Sequence, residues 1–286
     1  MSAEPVRREP PGPLTDVPGP SMLGGGRRRA LELLWIIAVT DFKKTYFGTA
    51  LGYLWALAKP LLLFGVLLLV FTQIFRIGSD VPDYPVLLLF NIVLFGFFQE
   101  ATNAAVGSVV AQEAVVRKTQ FPRLVIPLSV ILTTLFTLGL NLTVVFVFVL
   151  AWGVTPTWTW LLFPVLLGLL VALTTGISLL LSALYPRLRD LGIIWSVLAT
   201  VLFYGTPVLY PLEIVPQGLR DVIALNPLTP LFTLARRWII DPSSPTLGDL
   251  GMGGWRLAVA AAIGVGVCAL GLWVFRREAS RIAEQL

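Results

Sequence analysis

The sequence contains no histidine, and its single cysteine, Cys268, lies inside an apolar run. These two gaps exclude disulfides within the chain, Cys/His zinc sites, and Ser-His or Cys-His nucleophilic chemistry. No Gly-x-x-x-x-Gly-Lys-Ser/Thr phosphate loop occurs, and Gly24-Gly25-Gly26 runs into Arg27-Arg28-Arg29 with the composition of a linker. ATP-driven work would therefore need another chain to hydrolyse the nucleotide. Charge is scarce as well. Only 13% of residues are Asp, Glu, Lys or Arg, against roughly 25% in a soluble domain. The 63 residues from 124 to 186 contain none at all. One crossing of a bilayer core needs roughly 20 apolar residues, so this stretch holds two crossings. Trp152-Gly153-Val154-Thr155-Pro156-Thr157-Trp158-Thr159-Trp160 supplies turn formers and interfacial tryptophans between them.

The rest of the 286 residues agrees: 56% are hydrophobic, nine are Trp, and the mean hydropathy is +0.84. The pI near 9.7 does not point to nucleic acid, because the basic residues flank apolar spans instead of covering one soluble face. Residues 1–26 carry six prolines without apolar periodicity and read as a disordered cytoplasmic tail. Residues 27–47 read as an amphipathic interfacial helix. Leu31, Leu34, Trp35, Ala38, Phe42 and Tyr46 recur at helical spacing, with Arg29, Glu32, Lys43 and Lys44 toward water. A cleaved signal fits poorly, since Glu32 interrupts the apolar part and no small-residue cleavage site follows.

A transmembrane domain over 48–276 then holds six spans, at about 51–75, 84–112, 124–152, 158–184, 191–204 and 257–275, before a cytoplasmic C-terminus at 277–286. Lys59 sits near enough to the inner surface to snorkel. With both termini inside, 16 of the 21 Lys and Arg are cytoplasmic, as the positive-inside rule requires. The segment 205–240 is unusual. It carries Pro207, Pro211, Pro216, Pro227 and Pro230 yet stays apolar between them, and Glu213, Arg220 and Asp221 argue against a seventh span. Two short helices dipping into the outer leaflet satisfy both facts, and broken backbone at that depth borders protein or a wet cavity. The expected fold is thus all-α and integral to the membrane: six transmembrane helices, an N-terminal interfacial helix, and a short re-entrant helical hairpin before the last span.

Three local patterns recur in order on this topology. Phe47-Gly48-Thr49-Ala50-Leu51-Gly52-Tyr53-Leu54-Trp55, with Lys59-Pro60, opens the first span. Arg117-Lys118-Thr119-Gln120-Phe121-Pro122-Arg123, with Ile126-Pro127-Leu128-Ser129, links spans two and three. Tyr185-Pro186-Arg187-Leu188-Arg189-Asp190 links spans four and five, and Asn226-Pro227-Leu228-Thr229-Pro230 follows in the outer loop. Over about residues 30–286 the chain resembles the membrane subunit of type-2 ABC exporters that move lipid-linked polysaccharides, the O-antigen, teichoic acid and galactan permeases. The resemblance implies a homodimeric channel in the inner membrane, working with two copies of a separate ATPase subunit that binds the ATP and Mg. It binds no cofactor itself, and its substrate would be a polyprenyl-pyrophosphate-linked glycan.

The same residues assign candidate roles. Arg117, Lys118, Gln120, Phe121, Pro122 and Arg123 form a basic elbow for docking the ATPase, with Phe121 as its apolar knob. The plain alternative is that the charges only meet anionic lipid. Arg29, Lys43, Lys44 and Lys59 stand at the level of lipid headgroups. Tyr53, Trp55, Trp195, Phe203 and Tyr204 are candidate lining aromatics, since sugars stack on flat rings; interfacial anchoring explains such residues equally well. Glu100 is the one acid deep in a span, with Gln99 and Asn103 beside it. A hydrogen bond to Asn141, to Thr residues or across a dimer is its economical role, because a proton relay would need further acids. Arg236 and Arg237 either meet phosphate or pair with Asp221 and Asp241, and Asp80 and Asp83 cap the turn after span one. Competing functions are a permease for a small amphiphile and, more distantly, a membrane-embedded glycosyl- or acyltransferase. The latter lacks the acid–base groups it would use.

Overall fold

The apolar runs become helices in the computed structural model, which describes residues 26–46, 52–76, 81–112 and 123–279, and no strand occurs among the described residues. Helix α1 (Arg27–Tyr46) precedes α2 (Leu54–Leu69), which widens into a π-turn at Val70–Ile74. Helix α3 (Tyr84–Val106) is followed by the single turn α4 (Ser108–Ala111). Helices α5 (Val125–Ala151) and α6 (Phe163–Leu184) lie either side of a 3-10 turn at Trp158–Leu162. Helix α7 (Leu191–Gly205) leads to the short α8 (Gln217–Ile223) and α9 (Leu228–Ala235), and α10 (Trp255–Ala279) comes last.

Among the described residues, five segments are long and apolar enough to cross a membrane: Leu54–Ile74, Tyr84–Val106, Val125–Ala151, Trp158–Leu184 and Trp255–Glu278. Helix α7 is apolar but has only 15 residues, a length of about 22 Å at 1.5 Å per residue, where a bilayer core measures about 30 Å. The second expected span, 84–112, is interrupted at Gly107, between α3 and α4.

The turn after α5 has a local cause. Gly153 adopts φ +99°, a left-handed conformation that glycine tolerates without strain. Its N–H reaches Leu150 O at 3.1 Å, and Val154 N–H reaches Val149 O at 3.3 Å, the paired bonds of a Schellman ending. The reversed chain is then fastened elsewhere. Trp160 Nε1 donates to Ile239 O at 3.1 Å and Thr159 Oγ1 to Trp238 O at 2.5 Å.

Helix α3 is the centre of the protein. It is buried on nearly every side, from Tyr84 and Val86 through Phe90, Phe95 and Phe98 to Ala105, as an all-round apolar helix must be unless lipid surrounds it. Helices α2, α5, α6 and α7 pack around it. Two of its polar side chains, Tyr84 and Asn91, serve the irregular segment that follows α7. Pro207 and the extended backbone at Thr206 leave carbonyls without helical partners. Asn91 Nδ2 donates to Pro207 O and Val208 O at 3.1 and 3.3 Å, and Tyr84 Oη to Leu209 O at 2.8 Å. Broken backbone is thus satisfied by the core helix itself.

The short helices α8 and α9 are held by ion pairs. Glu213 receives both hydrogen bonds of Arg236 Nη1 at 2.8 Å, and Asp241 lies 3.6 Å from Arg236 Nη2. Asp221 pairs with Arg256 at 3.0 Å, and Arg237 donates to the Ser244 carbonyl. Arg236 takes the pairing role, with Glu213 and Asp241 as its acids, while Asp221 goes to Arg256 and Arg237 turns to the Ser244 carbonyl. Asp83 is no side-chain cap of α3. Its carboxylate accepts the Trp152 indole N–H at 3.1 Å, joining the two turns on that side. Asp80 lies outside the described residues.

Candidate functional site

A cavity of about 1020 Å³ opens between α1, α2, α3 and α5. Its floor is set by α1, which lies along α5. Ala38 and Tyr46 are buried in that contact; Thr133 Oγ1 donates to Ala38 O at 3.2 Å, and the Tyr46 and Thr137 hydroxyls are 3.1 Å apart. Burial raises the Tyr46 hydroxyl above the usual phenol range, although the Thr137 bond opposes the shift. It therefore stays a neutral donor or acceptor at physiological pH. The apolar stripe expected on α1 is divided: Ala38 and Tyr46 turn to protein, while Leu31 and Trp35 are exposed together with Ile36.

The lining changes character along α3. Near its Val106 end stand Gln99, Glu100 and Asn103; toward its Tyr84 end come Phe97, Gly96, Val93 and Ile92. Lys59 of α2 faces the same space, and its ammonium is near enough to Glu100 for the charges to interact. Glu100 lies six residues from the end of α3 and Lys59 five from the start of α2, each roughly 8–9 Å along its helix. Helix α5 contributes Thr134, Thr137 and Asn141, one face at helical spacing. The partner expected for Glu100 is otherwise engaged: Asn141 Nδ2 donates to Thr137 O at 3.1 Å. The Thr134 hydroxyl likewise donates to Ile131 O at 2.9 Å. Glu100 is instead exposed to the cavity.

The other candidates are distributed unevenly. Trp55 lines the cavity and is 49% exposed. Tyr53 stacks on Phe42 at 5.4 Å and lies as close to Tyr46, bridging α1 to the start of α2. Trp195 is buried in the core against Phe98, Phe203 packs on Phe95 at 5.2 Å, and Tyr204 is exposed on α7. These three are not brought to the cavity. Arg29, Lys43 and Lys44 are exposed along α1. Of the basic elbow, Arg117, Lys118, Gln120, Phe121 and Pro122 lie outside the described residues; Arg123 is buried at the start of α5. Reading residues in linear order missed Tyr46 and Gly96 as lining residues, because only the packing of α1 and α2 on α3 makes them neighbours.

The profile of the ABC-2 type transporter family matches residues 32–239, from α1 through the turn that ends α9. The chain belongs to the ABC-2 type transporter family. Among similar proteins is the O-antigen export system permease protein RfbA of Klebsiella pneumoniae, 29% identical over 261 residues, which are 89% of this chain and 95% of that protein. The protein of the same name from Myxococcus xanthus is 32% identical over 203 residues, 70% of this chain and 77% of its own. The polysialic acid transport protein KpsM of Escherichia coli is 24% identical over 199 residues, with 69% and 77% covered. The matched family region includes every element that lines the cavity and excludes α10.

Proposed function

We propose that this chain is the membrane permease of an ATP-driven exporter that moves a polyprenyl-pyrophosphate-linked polysaccharide from the cytoplasmic to the outer face of the inner membrane. The observation that carries the reading is the cavity: a wide space within a bundle of spanning helices, polar at one end and apolar at the other. Such a space suits a solute with a hydroxyl-rich part and a lipid part. The names of the O-antigen and polysialic acid relatives support the substrate class.

Six crossings, with α7 as the short fifth, and both termini in the cytoplasm follow from the distribution of basic residues. Two copies of this chain enclose the passage, since one six-helix protomer has little room for a sugar chain. Two ATPase subunits with ATP and Mg work beneath them, and the basic elbow from Arg117 to Arg123 carries their motion into α3 and α5. Arg29, Lys43, Lys44 and Lys59 meet lipid headgroups and the substrate's pyrophosphate; Trp55 and Tyr53 lie nearest the route from the interface.

Deletion of the gene should deplete one surface glycan, and the wild-type chain should restore it. In the purified complex, the double variant Phe121→Ala, Arg117→Glu should lose most substrate stimulation of ATP hydrolysis. Stimulation equal to wild type would reduce the elbow to a lipid contact. Export that continues with ATP when a proton uncoupler is present is the accompanying expectation, and its collapse would instead favour a proton relay through Glu100.

A further inference from the structure

The polar groups of the large cavity fall into two sets. Those of α5, Thr134, Thr137 and Asn141, donate to carbonyls of their own helix. Lys59, Gln99, Glu100 and Asn103 make no side-chain hydrogen bond or ion pair among the described residues. A carboxylate on a membrane-spanning helix without a hydrogen-bonded protein partner is costly unless water or a ligand serves it. We infer that Gln99, Glu100 and Asn103 read the hydroxyls of an uncharged sugar while Lys59 holds the phosphate that joins this sugar to its lipid, a subsite that presupposes the glycan-export reading.

The placement favours that ligand over others. Residues 99 and 103 are four apart and 100 and 103 three apart, so the three side chains share one face of α3. A carboxylate only accepts, and two carboxamides both donate and accept. Together they suit a ring that presents several O–H donors and some acceptors. Trp55, half exposed in the same lining, offers a flat face and an N–H. Lys59 is a compact point charge suited to a phosphate. One turn and two turns farther along α3 the lining becomes Gly96, Val93 and Ile92, so the hydroxyl-reading patch ends abruptly against apolar wall. A sugar joined through phosphate to a hydrocarbon chain fits these three kinds of lining. An acidic sugar does not, because its carboxylate would face Glu100.

The test uses the purified permease in lipid nanodiscs, free of sugar detergents, titrated calorimetrically with three probes. These are farnesyl pyrophosphate, farnesyl-pyrophosphoryl-N-acetylglucosamine, and the same conjugate carrying glucuronic acid. Wild type should bind the neutral conjugate best. Glu100→Ala should weaken that conjugate by roughly tenfold to a hundredfold, the range for hydrogen bonds to a charged group, and leave farnesyl pyrophosphate unchanged. Lys59→Gln should weaken all three probes alike. Glu100→Gln should tighten the glucuronic acid conjugate, a gain that damage to the fold could not produce. Equal loss of all probes in Glu100→Ala, absence of that gain, or no binding by wild type would each overturn the subsite. The export reading is judged separately: if Glu100→Ala restores the surface glycan of a deletion strain as fully as wild type, export stands and the subsite falls.

Discussion

Gly96→Trp is expected to reduce export to a small fraction of wild type, a loss of at least roughly tenfold, while the protein still folds. Gly96 lines the cavity one helical turn from Glu100, so a side chain there stands directly over the polar end. A Cβ built on Gly96 meets nothing within 4 Å, so the new side chain enters open space and not a packed core. An indole is among the largest side chains and buries about 150–250 Å² when packed. It would narrow the space that Leu63 and Leu138 also line. The control is Gly96→Ala. It should transport normally and gain about 0.5–1 kcal/mol of stability, the usual difference between alanine and glycine within a helix. Surface-glycan level in a complemented deletion strain reports export, and fluorescence-detected size exclusion after heating reports folding. Full export by a well-folded Trp variant would mean that traffic does not pass this cavity.

Why Gly96 escapes notice in the linear chain, while the hairpin at Gly153 does not, has a physical answer. The neutral run from 124 to 186 exceeds anything a soluble fold tolerates, and the Gly-Pro-Trp interruption is a local event that sets its own backbone geometry. Helices α5 and α6 and their turn are therefore legible without tertiary information. Which helix becomes the centre is not. Every span is largely apolar, and the polar residues that distinguish α3 do not by themselves say that it is buried while α2 and α10 are mostly exposed. The same degeneracy explains α1. Leu33, Ile36 and Ile37 make its second face apolar too, so the helical period alone could not choose Ala38 and Tyr46 over Leu31 and Trp35. Glu100 was conspicuous because acids are rare in spans, yet its lack of a partner depends on three helices diverging around it. Arg236 had several acids within reach along the chain. Its choice of Glu213 required the chain to fold back by 23 residues.

The last helix offers the second large effect, because its attachment is chiefly to a single neighbour. Helix α10 packs chiefly on α6, with only 11% of its span window buried. Without a hydrophobic difference between lipid and protein, such an attachment depends on close packing of small residues. The crossing point is formed by Gly176 and Gly271. A Cβ on Gly271 would collide with the Gly176 carbonyl, and one on Gly176 would lie 2.6 Å from Cys268 Cα. Both obstacles are backbone or stiffly held atoms, so the helices must separate to admit any side chain. Gly271→Val should thus destabilise the docked state by about 1–3 kcal/mol, the range for overpacking, and release α10 from α6. The single native cysteine reports this directly. Cys268 Sγ lies 3.4 Å from Ala172 O, so Ala172→Cys should form an oxidant-catalysed crosslink to Cys268 in the otherwise wild-type chain. Adding Gly271→Val should slow that crosslink severalfold and lower the melting temperature, whereas Gly266→Val, where a Cβ meets nothing within 4 Å, should do neither. Equal crosslinking and equal melting in the two valine variants would show that the glycine crossing does not hold α10 in place.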